Sequence, residues 1–199
     1  MDFSGCPKQL KNKISKDMKI LAFILIIILT GTQAIHAQNY LTKNGNISFF
    51  SKTDIENIDA VNNQVVSVIM PQTSSLAFSV LINGFLFKKA LMQEHFNENY
   101  MESTKYPKAT FKGTIPDISK VNFTKDGAYN VTVTGDLYIH NVTNKITMPA
   151  VIMVKAGKIS ASTSFKVNLD DYKISVPKIV EGNISKTIEI KVDCNYDRR

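Results

Sequence analysis

The sequence predicts an all-β fold, an eight-stranded antiparallel barrel interrupted by one short helix. From residue 38 onward, apolar and polar side chains alternate with a period of two in about eight segments, most of them joined by short polar turns. One stretch, Phe78–Gly113, breaks this period and places apolar residues at helical spacing instead. An open sheet of eight strands has edges to bury, and since only one helix is available to cover them, closure into a barrel is expected.

Residues 1–37 are predicted to be a secretory leader that lies outside the fold. A lysine precedes ten unbroken apolar residues, Ile20–Leu29, and a short polar and small-residue segment follows as far as Ala37. This apolar run is shorter than the roughly 20 residues that a membrane span needs. We therefore expect cleavage after Ala37, export to the periplasm or beyond, and no membrane span in the mature protein. A retained N-terminal anchor is the alternative.

The remaining segment, residues 38–199, has a length that suits one domain with a single core. Its 19 basic and 15 acidic residues leave a net charge of +4. The lysines are scattered among the strands rather than gathered in a run, which argues against a nucleic-acid partner. Met18 directly precedes the lysine of the leader, and the alternative for residues 1–17 is that they are an over-long gene start.

The first two strands are predicted next to Asn-rich turns. A strand at Ile47–Phe50 follows the Asn-Gly-Asn sequence of residues 44–46, and a strand at Val65–Met70 follows Asn62-Asn63. Pro71 ends the second strand, because proline has no N–H to continue a ladder.

The central stretch holds a third strand and then the helix. The alternation that begins at Phe78 stops at Asn83-Gly84, and a helix from Phe87 to Phe96 is predicted from its apolar face. That face consists of Phe87, Leu91, Met92, His95 and Phe96. A strand resumes after Tyr106-Pro107 and runs as far as Pro116, since the residue before a proline favours an extended conformation.

The later strands have the most regular pattern. Residues 129–139 alternate with one apolar face, and Ile146–Val154 is the expected hairpin partner. Ala156-Gly157 then makes a turn into Ile159–Leu169. A last strand places four residues inward: Ile188, Ile190, Val192 and Cys194.

The inward positions of these strands are small or branched as often as large. Ala150, Ala161 and Thr163 lie beside Ile152 and Phe165, and the chain has no tryptophan. Composition alone leaves both a solid core and a cavity open. An uncharged cavity would accept a mostly hydrocarbon ligand, since each buried CH₂ contributes about 0.8 kcal/mol.

Residues for catalysis or metal binding are sparse. His95 and His140 remain after the leader, and neither has a cysteine or second histidine at ligand spacing. His95 is expected to be a structural histidine, hydrogen-bonded near the barrel rim. No nucleophile elbow, phosphate-binding glycine loop or CxxC is present, so neither an enzyme nor a cofactor is predicted. Cys194 is expected to be a packed small side chain, with an exposed thiol or intermolecular bridge as the alternative.

Two segments carry a resemblance to a known family. The run MQEHFNENYMESTKYPKATFKG at residues 92–113, together with LYIHNVTNKITMP at 137–149 and the terminal alternating strand, resembles the YceI-like family of secreted lipid-binding domains. The form is the one common among Bacteroidetes, and the match extends over nearly all of the chain after the leader. It implies a lipocalin-like eight-stranded barrel with a helix packed at one end and an elongated isoprenoid or other lipid tail inside.

Under this resemblance the barrel would hold a polyisoprenoid, an isoprenoid quinone or an acyl chain for storage or transport, with the helix as a cap. Two alternatives stay open: an enzyme acting on a small lipid, and an envelope structural or stress protein with a filled barrel. No oligomeric state is predicted. The residues expected to line the cavity are Phe78, Val80, Phe87, Leu91, Phe96, Phe111, Val133, Leu137, Ile152 and Phe165.

Overall fold

The computed structural model describes residues 38–199, and the predicted leader lies outside them. Most of these residues form β-strands. The strands are β1 Tyr40–Lys52, β2 Asn57–Met70, β3 Ser75–Leu81, β4 Leu86–Phe87, β5 Lys108–Thr114, β6 Gly127–Ile139, β7 Val142–Lys155, β8 Lys158–Asn168 and β9 Thr187–Arg198.

The eight long strands form a closed barrel. Their order around the barrel is β1-β9-β8-β7-β6-β5-β3-β2, and β2 pairs back with β1. Each of these pairings is antiparallel. The two-residue strand β4 extends the ladder of β2. The predicted eight-stranded antiparallel barrel is therefore confirmed.

β1 is longer than predicted because residues 44–46 form a bulge instead of a turn. The register with β2 shifts on both sides of Gly45, which bends the strand without ending it. A Cβ at Gly45 would lie 2.5 Å from Sγ of Cys194 and 3.2 Å from Cβ of Val65. Glycine fits here because the side chains of Cys194 on β9 and Val65 on β2 occupy the space that a Cβ would take.

β2 likewise continues through the turn predicted at Asn62-Asn63. Asn62 is fully buried, its side-chain amide donates to the carbonyl of Leu81 at 2.9 Å, and its Oδ1 accepts from the N–H of Gln64 at 2.8 Å. Asparagine favours turns when its side chain bonds only to its own local backbone. Here the second bond, to a distant segment, keeps the residue within the sheet.

The two hairpins that join β6 to β7 and β7 to β8 have two-residue turns. Residues 140–141 have φ of 47° and 61°, and residues 156–157 have φ of 50° and 74°. Positive φ at both central residues is the geometry that matches the twist of an antiparallel hairpin. The turn predicted at Ala156-Gly157 and the alternation of the flanking strands are confirmed.

β5 and β6 lie close together where Gly113 pairs with Gly135. A Cβ at Gly135 would lie 2.4 Å from both the Cα of Gly113 and the carbonyl oxygen of Lys112. Cζ of Phe111 lies 2.7 Å from the position of either missing Cβ. The phenylalanine ring therefore covers the space that the two glycines leave on the inner face.

The short helix, α1 (Ala90–His95), continues into a π-helical turn at Phe96–Tyr100. It begins three residues later than predicted, because Phe87 lies in β4 and pairs with Ala60 of β2. Phe87 lies at helical spacing from Leu91 in the sequence, which is why it was predicted to be in the helix. Its pairing with β2 instead gives Phe87 an extended conformation. The remaining short helices are 3₁₀ turns at Pro71–Thr73, Ile82–Gly84, Ile118–Lys120, Asp170–Tyr172 and Lys178–Asn183.

The barrel has two different ends. At the floor, the β2–β3 and β7–β8 turns meet the loop between β5 and β6, whose Phe123 stacks on Tyr40 with ring centroids 4.8 Å apart. At the mouth, α1 lies beside the β1–β2 turn, the β6–β7 turn and the connection from β8 to β9. Buried aliphatic side chains of the β5–β6 loop, Ile115, Ile118 and Val121, pack at the floor, and the space inside the barrel extends from above them to the mouth.

Candidate ligand-binding cavity

The barrel and α1 enclose a cavity of about 330 Å³. This volume falls at the lower end of the range of small-molecule sites. The inward faces of the long strands and the inner side of α1 provide its wall, which is almost entirely apolar. An apolar wall of this kind contributes binding energy in proportion to the hydrocarbon area that it removes from water.

Eight of the ten side chains predicted to line an interior site do lie on this wall, and the structure brings them together from β3, β4, β5, β6, β8 and the helical segment. Whether they bind a ligand stays a prediction. They are Phe78, Val80, Phe87, Phe96, Phe111, Val133, Leu137 and Phe165.

The structure places Leu91 and Ile152 elsewhere, so their prediction as cavity residues was wrong. Leu91 is 61% exposed, because α1 turns Met92, His95 and Phe96 toward the cavity and leaves the preceding position outside. Ile152 is buried, at 1% exposure. It pairs with Ala161 and Tyr129 and is packed within the buried apolar core instead of facing the open space.

Four phenylalanines form a cluster under α1 at the mouth, which we call the mouth cluster: Phe49, Phe85, Phe87 and Phe96. Their ring centroids lie 5.0 to 5.7 Å apart, within the range of favourable aromatic pairs. Phe49 and Phe85 were missed from the sequence. The alternation of Ile47 and Phe49 along β1 would have indicated that Phe49 faces inward. Phe85 directly follows a turn, so no periodic pattern in the sequence indicates its position.

A short chain of hydrogen bonds lies on the wall near the floor. Tyr196 Oη is 2.8 Å from Oγ of Ser67, and Ser67 donates to the carbonyl oxygen of Ala77 at 3.1 Å. The serine proton is thereby used, so Tyr196 donates to Ser67. Burial raises the pKa of Tyr196, which keeps this hydroxyl protonated. The polar groups here are satisfied within the protein and leave the wall suited to an apolar ligand.

Cys194 is a buried free thiol on the same wall, as predicted for a packed small side chain. Burial raises its pKa from 9.0 to about 11. A raised pKa favours the protonated thiol in the folded state. The resulting stabilisation is fully present below about pH 9 and is lost as the pH rises through about 11.

Cys194 is expected to resist alkylation by iodoacetamide in the native protein at neutral pH, and to react once the protein is unfolded. The reason is that the thiolate is the nucleophile and is scarce at a pKa of about 11. The measurement is the alkylated mass of wild type against Cys194→Ser, a comparison in which Cys6 contributes equally to both. Rapid native labelling that disappears in Cys194→Ser would contradict this expectation.

His140 ties together three segments of the mouth. Its Nε2 is 2.9 Å from Oε2 of Glu102, its Nδ1 is 3.2 Å from the carbonyl oxygen of Tyr172, and its ring packs edge-on against Tyr106. The structural role expected for His95 thus belongs to His140. His95 is exposed at the mouth and makes no hydrogen bond to another of the described residues.

Within residues 38–199, no group of three or more His, Cys, Asp or Glu side chains is placed to hold a metal ion. No helix in the same range is long and apolar enough to span a membrane.

A family model described as the YceI-like domain matches residues 37–196. Among curated protein sequences, none matches the chain. Two solved structures show a similar fold. A polyisoprenoid binding domain from Saccharophagus degradans, implicated in plant cell wall breakdown, has a TM-score of 0.71 at 13% identity, over 82% of this chain and 99% of that one. Burkholderia cenocepacia BcnA has a TM-score of 0.64 at 13% identity, over 77% of this chain and 96% of that one.

Proposed function

Because this chain belongs to the YceI-like family, we propose that its barrel binds the hydrocarbon tail of an elongated lipid, to store or carry it in the periplasm. The observation that supports this most is the cavity of about 330 Å³ with an almost entirely apolar wall. A tail gains about 0.8 kcal/mol for each CH₂ that it buries. A polar headgroup would find few open hydrogen-bonding partners inside and would stay near the mouth.

The ligand class that we propose includes a polyisoprenoid, an isoprenoid quinone and an acyl chain. The Saccharophagus degradans structure is of a polyisoprenoid binding domain, which supports the first of these. The mouth cluster also suits such tails, since aromatic rings present large apolar surfaces to a chain that lies along them.

Binding rather than catalysis is the activity that the wall supports. Cys194 is a poor nucleophile because burial raises its pKa to about 11. His95 lies at the mouth on α1, whereas Cys194 lies on β9 toward the floor, so the two do not form a nucleophile and base pair. A barrel filled by its own side chains is disfavoured by the cavity itself.

Titration with fluorescent lipid analogues tests this proposal. The purified protein, freed of lipid by organic solvent and refolded, is expected to take up a fluorescent isoprenoid or long-chain fatty acid saturably, at about one molecule per barrel. A polar dye of similar length serves as the control and should not bind. Uptake of neither lipid analogue by a refolded, monodisperse protein would count against lipid binding.

Export is a separate part of the proposal and concerns the residues before the barrel. The order of lysine, apolar run and small residues that ends at Ala37 favours cleavage by a signal peptidase. Protein recovered from the periplasm of its native host is expected to begin at or near Gln38, as measured by intact mass. Recovery of membrane-bound protein that retains residues 1–37 would show that the segment is an anchor.

A further inference from the structure

The cavity ends at the same level on three neighbouring strands. On each of them, the last inward side chain on the cavity wall is followed, two positions closer to the floor, by one that lies off the wall. The pairs are Val133 and Val131 on β6, Ala150 and Ile152 on β7, and Ala161 and Ile159 on β8. The second member of each pair is at most 5% exposed and belongs to the buried core. We call this level the closed end of the cavity.

Tyr196 lies at the closed end, and a hydrogen bond holds its ring there. It is the last residue of β9 on the cavity wall toward the floor, where it pairs with Ile159 of β8. Its hydroxyl donates to Oγ of Ser67 on β2 at 2.8 Å, and β1 lies between these two strands. Both residues are buried. Because a buried hydroxyl that lost its partner would be left unsatisfied, this bond keeps the ring in place.

The barrel wall around the closed end leaves no exit for a longer tail. β7 pairs with β8 from Ala150 to Lys155, and β2 with β3 and β3 with β5 to their floor ends. Paired strands lie about 4.8 Å apart, too close for a hydrocarbon chain to pass between them. Where β1 bulges at Gly45, the side chains of Cys194 and Val65 occupy the space. A tail that reaches this level therefore stops there.

The distance from the closed end to the mouth determines how much of a tail the cavity can hold. Wall residues extend from Tyr196 back to Ile188 on β9, and from Ala161 to Leu169 at the end of β8, eight residue steps on each. Each step rises about 3.3 Å and barrel strands tilt by about 40°, so the cavity is about 20 Å deep. An extended hydrocarbon chain advances about 1.25 Å per bond, since its bonds are about 1.5 Å long and meet at about 111°. This depth corresponds to a chain of about 16 carbons.

We infer that the cavity limits tail length to about 16 carbons of a straight chain, or about four isoprene units, and that Tyr196 sets this limit at the closed end. The inference rests on the proposed function. Each CH₂ that enters the cavity strengthens binding about fourfold, whereas a CH₂ beyond the limit stays outside the mouth and adds nothing. The preferred ligand is therefore a lipid with a tail of this length, and a longer polyisoprenoid is held by one end only.

Two chain-length series test the limit on the wild-type protein. Saturated fatty acids of about 10 to about 20 carbons, delivered from cyclodextrin, displace a fluorescent fatty acid, and prenols of about two to about six isoprene units displace a fluorescent isoprenoid. Affinity is expected to rise about fourfold with each added CH₂ and to level off at about 16 carbons, or about four units. Affinity that still rises at the end of both series would overturn the limit alone. Wild type that binds neither fluorescent lipid would overturn lipid binding itself.

Variants at the closed end test the role of Tyr196. Tyr196→Ala should move the level-off point to longer chains by at least about two carbons, because the space that the ring vacates joins the cavity. Tyr129→Ala is the matched control, since Tyr129 lies at the floor end of β6 and off the cavity wall, and its level-off point should match wild type. A folded Tyr196→Ala variant with the wild-type level-off point would show that Tyr196 does not set the limit.

Ala161→Leu tests the same level in the opposite direction and replaces Tyr196→Ala if that variant does not fold. Ala161 is the wall residue of β8 at the closed end, and a larger side chain there shortens the cavity. The level-off point should move to shorter chains by at least about two carbons. A folded Ala161→Leu variant whose level-off point matches wild type would overturn the inference that the cavity ends at this level.

Discussion

Gly135→Val is expected to prevent the barrel from folding stably. A Cβ at this position meets the backbone of β5 at 2.4 Å, at the Cα of Gly113 and the carbonyl of Lys112. A change of side-chain rotamer cannot relieve a clash with backbone, so the two strands must separate at the centre of the sheet. We expect a loss of more than about 3 kcal/mol in the free energy of unfolding, measured by chemical denaturation followed by circular dichroism.

Gly127→Val is the matched control, because Gly127 lies in the same strand and does not have a positive φ. The atoms nearest to an added Cβ there would be side-chain atoms of Tyr129, at 3.5 Å, which is ordinary van der Waals contact. Its effect should stay within about 1 kcal/mol. Similar stabilities for the Gly135 and Gly127 variants would contradict the packing described for β5 and β6.

Ala150→Trp is expected to lower lipid affinity more than about tenfold while the lipid-free protein remains folded. Ala150 faces the cavity, and the indole would occupy volume that a tail needs. Filling an empty apolar space also recovers packing energy, so the melting temperature of the lipid-free protein should be equal or higher. The measurements are a titration with a fluorescent fatty acid and a thermal melt.

Ala128→Trp places the same side chain on the exposed outer face of β6 and should bind lipid like wild type. If Ala150→Trp does not fold, Ala161→Phe tests the same point with a smaller ring, since Ala161 also faces the cavity. A folded cavity variant with unchanged affinity would show that the lipid binds elsewhere.

β6 and β8 could be predicted from the sequence to within two residues of their ends, because each has one face inside the barrel and one in water. Residues 129–139 were predicted, and β6 is Gly127–Ile139. β7 begins four residues before the predicted Ile146, and β9 continues four residues beyond Cys194. The errors fall where a long-range contact overrides a local turn preference. The bulge at Gly45 depends on β9 packing against it, and Asn62 stays in β2 because it bonds to Leu81.

The cavity was harder to predict than the barrel. Alternation separates inward from outward positions, but it gives no depth along the barrel, so Ile152 near the floor looked the same as Val133 on the cavity wall. A short helix allows an error of one position in phase, which is why Leu91 was placed inside. A solid core and a hollow one produce the same alternation, and only the packed structure shows that space remains.

The central claim is that the barrel binds a lipid tail, and mass spectrometry of an organic extract tests it most directly. Wild type purified from its native host without detergent should release one class of long-chain lipid, at up to about one molecule per barrel, and Ala150→Trp prepared in parallel should release little. The absence of lipid from the wild-type extract, together with failure of the same protein to take up a fluorescent isoprenoid, would contradict the account.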